Sequence, residues 1–595
     1  MPAVIRQRVR LWIPLLLLLC LRSAALEVEE TRWGFDGKVV PRTFAVLSVL
    51  VSNPRPEPFE GMIQLERNAH GSFRAGAPLV RAIAVAPFSS RWVQFYPRIS
   101  TNNRAWKLRW GRGGSYDVKN PTLGAPGSVC LTSERTIASR QAGLRPFPDT
   151  LFPPLVEATR GLHAVTLGHA PRWGPARRRA FMNWLRLGGT VHVCTTETGR
   201  FPLFGKEMTS LNHQEASQTR ICDGRIVWHQ ETPAKITQQI LDETGFPCSK
   251  LVNTKSYVGS LDSSLLRNLG QVVRPKHNWI LFLCVSALYI GIVGPGCFFL
   301  GFRKRNCARP ILLLLVSAVL FSILFLLIGR RGYGEESTVT SINYARALEP
   351  GQYAVTQWTS AFVTDGDTYK LSYDVPAGLF STAHANAAVK GMTQNGVGAA
   401  FLIDMPLFSS CSYVHKAVMP GPILSPIKVT MGHDKVGLTK LNITFDRVCL
   451  TGMRRAWCVQ GDRVLDLHQQ RLQTLASSRN SAPFDTFYSK GTVQAGFSYN
   501  HRYGRYNTEE PPEQHLAKVA DSAAPALSAF CALGGTDAVR QCIKPRRSEP
   551  DRVDVFLLMD SAKFFRVTEP RFKKHLGFTL YHLVVYRTEP ESEGP

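Results

Sequence analysis

The cysteines are the residues of this chain with the widest chemistry open to them: a thiol can pair, hold a metal or, as a thiolate, attack a carbonyl. There are 13 of them. Cys20 lies in the first segment, and Cys284, Cys297 and Cys307 lie in or beside two apolar runs. Cys130, Cys194, Cys222 and Cys248 fall in the first half, and Cys411, Cys449, Cys458, Cys531 and Cys542 in the second. An oxidising compartment would permit disulfides, with Cys449–Cys458 and Cys531–Cys542 the pairs closest in sequence, and the odd number in the second half leaves one over. No paired CxxC, HExxH or calcium loop occurs, so spacing points to no metal and no cofactor is expected. A second kind of chemistry is recognition. In YNHRYGRY the residues Tyr499, Arg502, Tyr503, Arg505 and Tyr506 supply aromatic and guanidinium anchors for a partner or glycan, or cross-strand pairs at a hairpin tip. Asn442-Ile443-Thr444 fits a glycosylation sequon within an expected strand.

The framework that positions these residues is large. A chain of 595 residues suggests three or four folded units. With 44% hydrophobic and 19% charged residues it is neither wholly disordered nor a many-helix transporter. Lys plus Arg exceeds Asp plus Glu by 71 − 44 = 27, a field that favours anionic neighbours such as acidic lipid headgroups or envelope polymers. Nucleic acid is not expected, because the basic residues are scattered, with only short clusters such as Arg177-Arg178-Arg179.

Residues 1–25 read as an export signal: Arg6, Arg8 and Arg10, then the apolar run Leu11 to Leu21, then Ser23-Ala24-Ala25. Residues 279–302 and 311–329 carry no formal charge and read as two transmembrane helices, the first kinked at Gly291, Gly294, Pro295 and Gly296. Between them Arg303, Lys304, Arg305 and Arg309, with no acidic residue, form a basic cytoplasmic loop, 303–310. The expectation is a two-pass protein of the cytoplasmic (inner) membrane with both large regions extracytoplasmic. Its partners would be membrane lipids and other membrane or envelope proteins.

Around the hairpin, residues 26–125 read as a β-sandwich, with strands at Phe44 to Val51, Met62 to Leu65, Val80 to Val85 and Arg91 to Tyr96. Residues 126–255 alternate: strand Ala164 to Leu167, helix Pro175 to Leu187, strand Thr190 to Cys194, strand Arg225 to Trp228, helix Pro233 to Glu243. A parallel sheet is implied. Residues 256–278 read as a linker. Residues 330–595 read as a second β-rich, sandwich-like domain, with strands at Gln352 to Trp358, Thr368 to Val375, Leu441 to Phe445, Thr492 to Tyr499, Val553 to Met559 and Phe578 to Tyr586. Polar connections are expected at Gln469 to Ser481, with helical character, and Asn507 to Ala526.

The helix ending FMNWLRLGG, the strand TVHVC and the later GRIVWH resemble the class I glutamine amidotransferase-like (flavodoxin-like) fold, in the degenerate form found in exported bacterial membrane proteins. In the active family a nucleophilic cysteine stands between glycines on a sharp strand-to-helix turn, followed later by a histidine with an acidic partner. The resemblance puts Cys194 in the nucleophile's place and lets His229 and Glu231 imitate the other two. No glycine flanks Cys194 in His192-Val193-Cys194-Thr195-Thr196, so the elbow and its backbone oxyanion donors are not indicated. The order LYIGIVGPGCFFLGFRKR, a second apolar run and STVTSINYARALEPGQYAVTQWTSAF is similar to an uncharacterised group of bacterial envelope proteins. That group has a signal peptide, a β-domain, an amidotransferase-like domain, two helices and a terminal β-domain. The expected function is a non-enzymatic scaffold whose outer domains bind a partner or envelope component. The alternatives are a hydrolase or amidotransferase using the α/β domain and an accessory subunit of a transporter.

Overall fold

The computed structural model describes residues 26–67, 76–99, 105–111, 113–133, 144–244, 261–272, 279–296, 298–299, 302, 308–333, 336–382, 389–424, 427–434, 437–445, 452–460, 463–471, 474–483, 511–532, 552–560 and 564–586. The export signal 1–25, Arg303, Lys304 and Arg305, the strand Thr492 to Tyr499, and Tyr499, Arg502, Tyr503, Arg505 and Tyr506 lie outside the described residues. So do Cys449 and Cys542, while Cys458 is a free, buried thiol.

Strand predominates, and the sheets do not respect the expected domain limits. Phe59–Arg67, Leu79–Val85, Trp106–Trp110 and Gly114–Val118 share one seven-stranded sheet with Asp367–Leu371, Gly391–Gln394 and Ala400–Met405. The junction is the parallel pair Thr393 and Leu79. The two β-rich regions are therefore joined edge to edge, which corrects the expectation of two separate sandwiches.

A twelve-stranded sheet forms the larger body. At its middle Thr338–Glu349 pairs antiparallel with Gln352–Val363 and parallel with Lys574–Tyr586. These strands are rich in aromatic and β-branched residues buried on both faces, which suits the middle of a covered sheet. One face packs Tyr353, Val355, Tyr413 and Tyr581 into the core. The other is roofed by the helices Leu261–Val272 and Pro512–Ala532, through Leu265, Leu269, Leu516, Ala520 and Leu527. The described parts of the expected linker, 261–272, and of the expected connection after Asn507, 511–526, thus belong to the cover of this sheet. Residues expected to be helical after Gln469 belong instead to the paired strands Arg463–Arg471 and Thr474–Pro483.

The architecture repeats within the chain. Glu27–Trp33, Leu47–Asn53 and Ser89–Phe95 form an antiparallel trio in spatial order, and so do Thr338–Glu349, Gln352–Val363 and Ser409–Pro420. In each copy the third strand is entered through a tight turn carrying a phenylalanine at positive φ, Phe88 at 50° and Phe408 at 52°. A serine hydroxyl closes both turns, Ser89 Oγ to Ala86 O at 2.8 Å and Ser409 Oγ to Pro406 O at 2.7 Å.

Among the described residues no helix is long and apolar enough to cross a membrane. That finding overturns the transmembrane hairpin, the two-pass inner-membrane placement and the topological role given to Arg303, Lys304, Arg305 and Arg309. The uncharged length of the first run is not one helix: Trp279–Gly291 has 13 residues, about 20 Å at 1.5 Å each against a core of about 30 Å. It passes into a π-turn, Ile292–Gly296, where Pro295 lacks the donor a continuous helix needs. The second run lies in the helix Ala308–Tyr333, which over its described residues also falls short. The two helices touch through Tyr289 and Phe321, whose ring centroids are 5.0 Å apart. Leu283, Leu288, Leu312, Leu315, Val319 and Ile323 point outward, all more than half exposed.

Candidate functional site

The α/β layer is a six-stranded sheet in the order Arg145–Pro148, Gly127–Thr132, Leu162–Leu167, Thr190–Cys194, Gly224–His229, Gln218–Ile221. The first five are parallel and the last is antiparallel. The chain leaves Gly127–Thr132 to one side and returns to the other at Leu162–Leu167, which makes the carboxyl ends of these strands the natural crevice of such a sheet. The helix Pro175–Arg186 starts with proline at its first turn and stops at Gly188, whose φ of 108° needs glycine. Gly224 is equally obligatory, since a Cβ there would lie 1.9 Å from the carbonyl oxygen of Leu185.

Period-two alternation divides the sheet. Val165, Val191, Val193, Ile226 and Trp228 join Phe181 and Leu185 of that helix in one apolar cluster. On the other side, register aligns Cys130 with Thr166, Thr166 with His192, and Cys194 with His229. Leu144, Ile236 and Leu241 close over Cys130 and Cys194. The result is a buried stripe of sulfur, hydroxyl and imidazole under an apolar cover.

Cys194 is fully buried, and burial above all pushes its thiol up to about 12, with Cys130 and Glu231 adding to the effect. Near neutral pH it is a thiol. His229 Nε2 lies 2.9 Å from His192 Nδ1, with the rings stacked at 5.2 Å. Burial drives His192 down to about 3, with His229 and His163 adding to it, and burial also lowers His229 against an opposing pull from Glu231. Both rings are neutral, and one donates to the other. Glu231 is exposed; its backbone oxygen accepts from Thr195 N at 3.1 Å, and Thr195 Oγ1 donates to Gln230 O at 3.1 Å. The fold brings Cys194, His229 and Glu231 to one end of the sheet, but the hydrogen bond of His229 runs to another histidine. Cys194 has no left-handed backbone of the kind a nucleophile elbow uses.

Sequence reasoning missed a second pair at this end. His169 Nε2 lies 3.0 Å from Asp149 Oδ2, and the backbone oxygen of buried Asp149 accepts from Trp173 Nε1 at 2.8 Å. Both follow strands flanking the crevice. Pro233 packs on Gly168, where a Cβ would meet its ring at 2.3 Å. The one available signal was the position of His169 two residues beyond the expected strand Ala164 to Leu167. An oriented imidazole can shuttle a proton, yet no cluster of three or more metal-ligating side chains occurs among the described residues.

No protein-family model matches the chain, and no curated protein matches it. Solved structures similar to part or all of it include the cycloisomaltooligosaccharide glucanotransferase of Paenibacillus sp. complexed with cycloisomaltoheptaose. The identity is 11%, coverage 28% of each chain and the TM-score 0.15. A beta-glucuronidase from glycoside hydrolase family 2 is 8% identical, over 96% of this chain and 62% of that one, with a TM-score of 0.13. The chain spans less than two thirds of the length of either, and at such TM-scores neither likeness informs fold or function.

Proposed function

We propose that the chain is a non-enzymatic binding protein, with the α/β layer as structural core and the apolar helical pair as the surface that engages a protein partner. The observation that carries this reading is the outward apolar line of Leu283, Leu288, Leu312, Leu315, Val319 and Ile323 on the helices Trp279–Gly291 and Ala308–Tyr333, whereas most other large apolar residues among the described ones are buried. A contiguous exposed apolar surface marks an interaction site. Its sequence borders are basic, with Arg303, Lys304, Arg305 and Arg309 on one side and Arg330 and Arg331 on the other. The complementary partner therefore offers an apolar helix or groove with acidic ends. The state of Cys194 argues in the same direction, because a buried thiol without a base in relay is no nucleophile.

Photo-crosslinking in cells that naturally express the chain tests this, with a photoreactive amino acid at Leu315 or Val319 and, as control, at Glu60. A discrete protein adduct from the helix positions and none from Glu60 is the expected result. Adducts to lipid alone, or no adduct, overturn the reading.

A further inference from the structure

The apolar helical pair exposes more of its circumference than one neighbour can fill. At about 100° per residue, Ile311 with Leu315, Leu312 with Val319, and Val316 with Leu320 form three adjoining stripes along Ala308–Tyr333 that span about 180°. These residues are between 55% and 62% exposed. Ser317 and Phe321, on the opposite side, are buried, and there Phe321 meets Tyr289 of the companion helix. A stripe of about 100° is enough to pack a helix on one flanking surface. No charged residue interrupts the sequence from Ile311 to Phe325.

The companion helix repeats the pattern. On Trp279–Gly291, Leu283 and Ile290 lie about 140–160° from Leu288 around the axis, with Tyr289 turned the other way. Leu283, Ile290 and Leu288 are 72%, 66% and 56% exposed, so this helix too is apolar and exposed on two flanks.

The charges decide against the simplest occupant, a second copy of this chain. Arg274 and Lys276 precede the first helix, the basic cluster Arg303 to Arg309 lies between the two, and Arg330 and Arg331 come near the end of the second. Both ends of each helix are therefore basic. Two copies packed along these helices, parallel or antiparallel, would set like charges against each other at both ends, whereas a different protein with acidic ends would not.

We infer that the partner is a different protein that encloses the outer half of Ala308–Tyr333 with two apolar helices, one on each flank, so that the pair completes a helical bundle. The inference rests on the protein-partner reading above and adds how many surfaces that partner presents.

The test places a photoreactive amino acid separately at Leu315 and at Leu320, about 140° apart on the helix, in the full chain in cells that naturally express it. Adducts are mapped by peptide mass spectrometry. Both positions are expected to crosslink to the same protein, at two different apolar segments of it. In Leu312→Asn, a change on the exposed middle stripe, the adduct yield per chain is expected to fall about tenfold at both positions together, because an amide set between apolar walls weakens the single complex. Adducts from one position only, from both to a single segment, to two different proteins or to a second copy of this chain overturn the two-flank partner and leave a protein partner standing. So does a yield that Leu312→Asn leaves unchanged or lowers at one position alone. Lipid adducts alone, or no adduct from either position, overturn both. Should Leu312→Asn not accumulate, the adduct map in the otherwise native chain decides by itself.

Discussion

At the scale of single residues, the thiols separate by burial. With its thiol pushed up to about 12, Cys194 is thiolate in only about one molecule in ten thousand at pH 8, and its side chain is fully buried. Cys130, Cys411 and Cys458 are likewise buried and raised, to about 11, 12 and 12. Brief treatment of the folded chain with iodoacetamide at pH 8, read by peptide mass spectrometry, should therefore modify exposed Cys284 and spare those four. Labelling of Cys194 at a rate near that of Cys284 would restore it as a nucleophile. The strand position of Cys194 was legible in TVHVC, a β-branched run closed by polar residues. Its state was not, because the apolar cover comes from Leu144, Ile236 and Leu241, on other elements. The pairing of His169 with Asp149 was illegible for a related reason: the residues are 20 apart and meet only because their strands sit side by side but one.

Turns and helices show where local sequence suffices and where it does not. A phenylalanine at positive φ costs about 1–2 kcal/mol against the right-handed region, a penalty that asparagine largely escapes. Phe88 is mostly exposed and loses little packing if replaced. Phe88→Asn should accordingly raise stability by about 0.5–1 kcal/mol in urea denaturation; a loss instead would mean the ring is held by contacts that repay the strain. The helix expected over Pro175 to Leu187 is found as Pro175–Arg186, since its proline start, apolar face and glycine stop are all local signals. Regions after Gln469 and Asn507 exchanged roles because the deciding signal was remote. Polar Thr474–Pro483 is strand because Arg463–Arg471 and Gly437–Phe445 pair with it, while Pro512–Ala532 earns its helix by laying small, weakly apolar alanines on a sheet. In the first apolar run, absence of charge outweighed Pro295, although the proline is what ends the regular helix.

Over the whole molecule, buried polar links hold regions far apart in sequence, and they make stability depend on acid. Asp223, at the hairpin closing the α/β sheet, accepts from Arg346, from Arg552 Nη1 at 3.0 Å and from Tyr586 OH at 2.7 Å. Removing one member of such a buried set costs about 3–5 kcal/mol, so Asp223→Ala should lower the denaturation midpoint far more than Glu231→Ala at the surface. The same network continues through Arg552 to Asp554, whose Oδ1 accepts from His582 Nε2 at 2.8 Å, while His582 Nδ1 lies 2.7 Å from Tyr344 OH. Burial lowers His582 to about 4 despite Asp554, and Arg346 and Arg552 help lower it. His415, lowered by burial to about 3, donates from Nδ1 to Gln357 Oε1 at 2.7 Å and has Nε2 buried without a partner. His192 makes a third ring of this kind, at about 3. Each has a folded pKa below its unfolded value of about 6.5, so the unfolded chain takes up protons that the folded chain refuses. Their contribution is complete above about pH 6.5 and is lost as pH falls, until the folded rings themselves protonate near pH 4 and below. Every such ring adds a slope of up to about 1.4 kcal/mol per pH unit, hence about 4 kcal/mol per unit for three, across a window that opens above the range of most carboxylates. Urea midpoints measured at pH 7, 6 and 5 should therefore fall progressively more steeply. His415→Gln should remove about a third of that slope, because glutamine takes no proton; a flat profile from pH 7 to 5 would show that these rings are not held neutral by the fold.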